Sequence, residues 1–247
     1  MRRLAIISDI HGNLICLNTI LVEIEQHGVD QIICLGDVAA SGPQPQECLA
    51  RLEEINCPVV MGNTDEWLLN PQRNTNVKGK TAQIEEIDLW CAAQLGENER
   101  AFIRLFAHTQ TITLEDGVTL LGYHGSPRSN LEGIHPDTPE EEIIDMIGEH
   151  KALIMAGGHT HNQMMRHVRD KIIINCGSVG LPFEKDAAGN FQTPHWAEFA
   201  LVAYSSGRVS IDLRRIPVDV ETNIAAIQAS AMPHKALLLA GLSHSLT

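Results

Sequence analysis

Five short polar clusters, each directly after an apolar run, constrain this chain more than any other feature. They are Asp9-Ile10-His11, Gly36-Asp37, Gly62-Asn63-Thr64-Asp65, His124-Gly125 and Gly158-His159-Thr160-His161. The runs before the first three (residues 4–7, 31–35 and 58–61) read as short strands, and a continuous apolar run is the pattern of a strand buried on both faces. Between them Leu14, Leu17, Ile20, Leu21 and Ile24 recur at helical spacing. Helical periodicity returns over 43–55, where Pro43 suits a first turn. Strand, polar turn and helix alternate three times, which predicts a layered α/β fold with functional groups on the loops at strand ends.

The pattern changes over 66–107. Turn-prone Asn70-Pro71-Gln72-Arg73-Asn74 precedes two helical stretches, 81–94 and 97–107, with no strand signal between them. This predicts a helical cap inserted into one domain that spans 1–247. Strands are expected at 111–114, 118–123, 152–156, 164–168, 171–175, 197–204 and 208–213. Helices are expected at 139–147, with Thr138 as its cap, and at 218–230 and 234–242.

Charge narrows the partners. Eighteen basic against 31 acidic residues leave a net charge of −13, which repels a nucleic-acid backbone, and no basic block offsets it. A phosphate-bearing substrate then needs local positive charge, which divalent cations supply. The six cysteines are scattered without a C-x-x-C pair, as in a reducing compartment. The apolar runs 4–7 and 236–242 are too short for a signal-peptide core or a membrane span, so the expected location is cytoplasmic, away from the membrane.

Carboxylate and imidazole together form a ligand set for first-row transition metals. Asp-x-His and His-x-His each place two donors on one side of an extended or turning backbone. One such motif is weak evidence, whereas five in order, each after a strand, are strong. In that order they resemble the calcineurin-like metallophosphoesterases, whose motifs run D-x-H, G-D-x-x, G-N-H-[DE], a lone His and G-H-x-H. The resemblance covers residues 5 to about 180, and Asn175-Cys176-Gly177-Ser178-Val179-Gly180 is similar to a segment of the small bacterial members. It implies a four-layer α/β/β/α sandwich with two divalent metal ions (Mn, Fe, Zn, Ni or Co) at one edge. By the same resemblance Asp9, His11, Asp37 and His161 hold one ion. Asp37, Asn63, His124 and His159 hold the other, with Asp37 bridging. The implied reaction is hydrolysis of a phosphate ester by a water ionised between the two cations, with Asp37, Asn63 and His124 at the reacting centre. The Asn63 amide is placed to donate to a phosphate oxygen.

Thr64 departs from the pattern. The family's usual histidine there is thought to protonate the leaving group, and a threonine hydroxyl cannot act as an acid at neutral pH. That leaves Asp65 without the partner it usually orients. A good leaving group is therefore expected: a small phosphodiester or a nucleotide phosphoanhydride such as a dinucleoside polyphosphate. His135 or His195 are alternative proton donors. Arg128 is either a bidentate phosphate clamp or a solvated loop arginine. Trp67, Trp90, Phe102 and Phe106 fit core packing better than base stacking. The competing functions are a phosphoprotein phosphatase and a non-catalytic scaffold of the same fold, and the complete ligand set argues against the scaffold.

Overall fold

Along β1 (Arg2–Ile7) Leu4 and Ile6 face one way and Ala5 and Ile7 the other, and all four are fully buried in the computed structural model. The structure describes residues 1–185 and 191–243. Two-sided burial is why the run shows no polar alternation. The chain continues through α1 (Leu14–Gln26), β2 (Gln31–Cys34), α2 (Pro45–Glu54), α3 (Asn63–Leu69), α4 (Lys80–Gln94) and α5 (Glu97–Ile103). It then forms β3 (Thr109–Glu115), β4 (Val118–Tyr123), α6 (Glu140–Ile147), β5 (Ile154–Gly157), β6 (Met164–Val168) and β7 (Lys171–Asn175). A short pair, β8 (Glu184–Lys185) and β9 (Phe191–Gln192), precedes the long β10 (Trp196–Ser205) and β11 (Arg208–Pro217). Two helices, α7 (Val220–Ala229) and α8 (Lys235–Ser243), follow.

Two main sheets result, one ordered β11-β10-β1-β2 and the other β3-β4-β5-β7-β6. β1 and β2 run parallel, as do β4, β5 and β7, so their C-terminal ends open at a common edge of each sheet. Three apolar clusters cement the layers. Leu4, Ile6, Ile33, Leu120, Ile154 and Ile174 fill the space between the sheets. Ala5, Ile7 and Phe199 face α1, α2, α4 and α5 on one outer side. Leu121, Met155 and Ile173 face Ile143 and Ile147 of α6 on the other. The result is the expected α/β/β/α sandwich. Ile87 and Cys91 of α4 and Ile103 of α5 belong to the first of these outer clusters, and Trp67, Trp90 and Phe102 pack against it. Among the described residues no helix is long and apolar enough to cross a membrane.

Four local expectations are corrected. Residues 58–61 make no ladder of their own: Val59 bridges Cys34 and Val60 bridges Ala107, one rung each. The segment opens with Pro58, which lacks an N–H, and gives way at once to the Gly62 turn. Helix α3 starts at Asn63, inside a segment expected to be a loop. It forms because the Asp65 carboxylate accepts the Gly62 N–H at 3.2 Å and caps its first turn. Helix α5 ends at Ile103 rather than 107, releasing Ala107 to bridge Val60. Thr138 does not cap α6; its hydroxyl accepts the His135 N–H at 2.8 Å, and Pro139 holds the cap position.

The sheet-to-sheet contact carries the stability of the frame. Ile6→Ala, at a fully buried inter-sheet position, is expected to cost about 2–5 kcal/mol, read from the urea midpoint of metal-free protein with the m-value unchanged. A loss under about 1 kcal/mol would contradict close packing there.

Candidate metal centre

Strand ends deliver the functional side chains, and the backbone that presents them is unusual. Asp9, His11, Asp37, His159 and His161 all lie at positive φ, between 48° and 67°. Each costs an L-residue about 1–2 kcal/mol relative to the right-handed region. Hydrogen bonds between loops hold this geometry. The N–H groups of Asp9 and His11 donate to the carbonyls of Gly36 and Asp37 at 2.9 and 3.0 Å. The His159 N–H donates to Asp9 Oδ2 at 2.9 Å, and the Ser178 hydroxyl to the Asp9 carbonyl at 2.8 Å. Two glycines allow the approach: a Cβ on Gly62 would overlap Asp37, and one on Gly158 would come within 2.8 Å of Asp9 Oδ2.

All seven residues singled out from the sequence converge. Asp9, His11 and His161 form one group and Asp37, His124 and His159 a second, with the ligand atoms of each within 4.8 Å of one another. Asp37 Oδ2 lies 3.8 Å from His11 Nε2 and 3.5 Å from His124 Nε2, between the two groups. Asn63 Oδ1 is 3.0 Å from His124 Nε2 and so joins the second. Asp37 Oδ1 accepts the Thr64 N–H at 2.9 Å, which fixes the rotation of its carboxylate.

Three imidazoles have their tautomer set by backbone. The Nδ1 atoms of His11, His124 and His161 lie 3.3, 2.7 and 2.6 Å from the carbonyls of Ala40, Leu35 and Leu181. A carbonyl only accepts, so each Nδ1 carries the hydrogen and each neutral ring turns a bare Nε2 lone pair into the cluster. The Nε2 atoms of His11 and His161 then face each other at 3.1 Å. Asp9 Oδ1, 3.2 Å from His161 Nε2, has no hydrogen-bond partner among the described residues. With both rings neutral, opposed lone pairs beside a carboxylate oxygen, all buried, call for positive charge among them, either a proton on a ring or a bound cation. The donor set therefore fits divalent metal.

Electrostatics agree. Burial, then the charge of His161, push His11 down to about 4. His159 is likewise lowered by burial and by His124. Burial would also lower His124, but Asp37 and Asp9 overcome it and raise it to about 10. His161 is raised against burial by Asp9. Burial would raise Asp9 and Asp37, yet His161 and His124 hold both below the usual carboxylate range. Without metal, protons on two imidazoles supply the positive charge that the carboxylates demand.

Asp65 is not left without a partner. Fully buried, it accepts the N–H groups of Asp37 and Val38 at 2.7 and 2.9 Å as well as that of Gly62. Burial and the nearby Asp37 push it up to about 7, against which the Val38 and Gly62 amides favour the ionised form. The Thr64 hydroxyl is buried with no partner among the described residues. Asn175, named in the sequence only as part of a family-like segment, has a definite contact: its Nδ2 donates to the Gly158 carbonyl at 2.6 Å and to Thr160 Oγ1 at 3.0 Å. Its position at the end of an apolar run was the available signal.

The outlying residues divide. Arg128 Nε pairs with Glu132 at 2.9 Å and its Nη1 with Asp145 at 2.8 Å, so a clamp on phosphate requires these bonds to be released. His195 Nε2 lies 2.7 Å from the Leu242 carbonyl in α8, which removes it as a proton donor at the cluster in this conformation. His135 is exposed, and a Cβ on Gly133 would meet both its Nε2 (2.8 Å) and Thr160 Cγ2 (3.1 Å), which places the ring beside the loop carrying His159 and His161. Phe183 lies over His161 with ring centroids 4.8 Å apart.

Comparison with known proteins agrees with this geometry. The family model of the calcineurin-like phosphoesterase superfamily domain matches residues 2–196. An uncharacterised protein of Methanocaldococcus jannaschii is 27% identical over 188 residues, covering 74% of this chain and 72% of that protein. A metallophosphoesterase from Sphaerobacter thermophilus shares the fold at a TM-score of 0.73, with 22% identity and 99% of each chain covered. A hypothetical protein from Pyrococcus horikoshii does so at 0.76, with 18% identity and 97% of each covered. With its family match over 2–196 of 247 residues, its two sheets and its clustered ligands, the chain belongs to the calcineurin-like phosphoesterase superfamily.

Proposed function

We propose that this protein is a dinuclear metal-dependent phosphoesterase that hydrolyses a small phosphodiester or a nucleotide phosphoanhydride. The observation that carries this is the buried meeting of imidazole nitrogens and carboxylate oxygens around Asp37 Oδ2. Asp9, His11, Asp37 and His161 hold one divalent ion, and Asp37, Asn63, His124 and His159 the other. Mn, Fe, Zn, Ni or Co satisfy this mixed nitrogen and oxygen set. Two such cations supply an activated water and neutralise charge on the phosphoryl oxygens.

The chain's own residues limit the substrate. Asn63 offers a neutral amide beside the second ion, so it orients phosphate without adding charge. Thr64 cannot deliver a proton, which favours a leaving group stable as an anion, such as a nucleoside phosphate released from a dinucleoside polyphosphate. A phosphoserine substrate would release an alkoxide, which makes a phosphoprotein phosphatase the weaker reading. The net charge of −13 disfavours polynucleotides.

Manganese-loaded protein is expected to hydrolyse bis(p-nitrophenyl) phosphate. His124→Ala or Asp37→Asn should lower kcat at least about 100-fold, with metal content falling in parallel. Full metal content and activity in both variants would overturn the site. Dialkyl phosphodiesters should react far more slowly than aryl ones; equal rates would remove the leaving-group argument drawn from Thr64. Asp65→Ala, which strands three backbone N–H groups, is expected to cost roughly 1–3 kcal/mol of stability and about 10–100-fold in metal affinity. Unfolding and metal titrations read the two effects separately.

A further inference from the structure

A cavity of about 210 Å³ lies between the ligand-bearing loops and helices α4, α7 and α8. Its walls are aliphatic: Ile84 and Ile87 from α4, Ile227 from α7, and Leu237 and Leu238 from α8. Two further lining residues, Ser41 and Leu181, belong to the loops that hold the ligands. Ser41 follows Ala40, whose carbonyl lies against His11 Nδ1, and the Leu181 carbonyl lies against His161 Nδ1. The cavity thus shares a wall with the backbone that orients two of the cluster's histidines. Helices α7 and α8 lie beyond residue 196, so part of this wall comes from outside the segment that the family model matches.

Four lining residues break the apolar pattern, Asn13, Ser41, Thr193 and Asn223. The Asn13 and Ser41 side chains are bonded within the protein, to the Gly180 carbonyl and to Asp88. Asn223 of α7 is only 6% exposed, and its Oδ1 has no hydrogen-bond partner among the described residues. A buried acceptor without a donor costs free energy that a ligand N–H recovers. An asparagine amide pairs an acceptor with a donor, the arrangement that matches the N6 amino group and N7 of adenine. Aliphatic walls suit a flat ring, and a cavity of this size holds one ring system rather than a whole nucleotide.

We propose that this cavity is a nucleobase subsite. It receives the base of a nucleotide ester, Asn223 reads the base edge, and the sugar and phosphate extend past Ser41 and Leu181 to the cluster. The assignment rests on the phosphoesterase reading for its substrate but is tested apart from it.

The direct test is adenosine binding to wild-type protein, with and without Mn²⁺, followed by calorimetry. Saturable binding is expected in both forms. Asn223→Leu should weaken it about tenfold, the loss of one hydrogen bond to a buried acceptor. Ile84→Trp, which fills the cavity from its exposed rim, should abolish it; if Asn223→Leu does not fold, this variant alone decides. Absence of adenosine binding to folded wild-type protein, or unchanged binding in folded Ile84→Trp, overturns the proposal. The kinetic test compares methyl p-nitrophenyl phosphate with the p-nitrophenyl ester of adenosine 5′-phosphate, which share a leaving group. Metal-loaded wild type should favour the adenosine ester at least about tenfold in kcat/KM, and Ile84→Trp should erase that preference while leaving the methyl ester rate unchanged. Equal wild-type values for the two esters overturn the subsite. If neither ester is hydrolysed, the phosphoesterase reading fails, and the binding result still decides the subsite.

Discussion

Asp37 makes directed contacts to three loops at once, and the centre is arranged around them. Its N–H is held by Asp65, its carbonyl accepts the His11 N–H, and its Oδ1 accepts the Thr64 N–H. That leaves Oδ2 facing His11 on one side and His124 on the other. One carboxylate therefore fixes the relative position of three loops, those after β1, β2 and residue 61. Its left-handed backbone, φ 56°, is affordable because bonds from outside the local chain impose it. The glycine at 62 is part of the same constraint, since a side chain there would drive the third loop off Asp37.

Charge explains why the arrangement stays open to metal. The chain as a whole is acidic, and the cluster buries two carboxylates with no lysine or arginine among its seven converging residues. Neighbouring imidazoles respond in opposite directions: His124 and His161, next to Asp37 and Asp9, rise, while His11 and His159, each beside a protonated ring, fall. A cluster that must borrow protons to balance itself gives them up to divalent cations, so metal binding is expected to release protons.

The residues that converge were legible in the sequence because each is a side chain at a fixed place after an apolar run, and the runs were legible because both faces of those strands are buried. What escaped has a common physical cause. The carbonyls of Leu35, Ala40 and Leu181 set the imidazole tautomers, and a carbonyl leaves no trace in residue identity. Helix α3 depends on one side chain reaching back to a turn, too short a pattern for periodicity to reveal. Arg128 and His195 are governed by partners at Asp145 and Leu242, which local sequence does not bring near. Residues 58–61 look like a strand because they are apolar, yet their pairing is limited to a rung on either side by the proline before and the glycine after.

The pairing of Thr64 with Asp65 separates two roles that the family motif joins. An acid whose work was to orient a histidine would be left as an unpaired buried carboxylate once that histidine was replaced, a costly arrangement. Asp65 instead spends both oxygens on backbone N–H groups of the Asp37 and Gly62 loops. It serves the placement of Asp37 whatever stands at position 64. Replacement of the histidine therefore leaves the metal ligands in place while removing a local proton source. On the proposed function, positioning of the ions and protonation of the leaving group are carried by different residues, and Thr64 affects only the second. On that same proposal, the substrate is one whose leaving group needs no proton on departure.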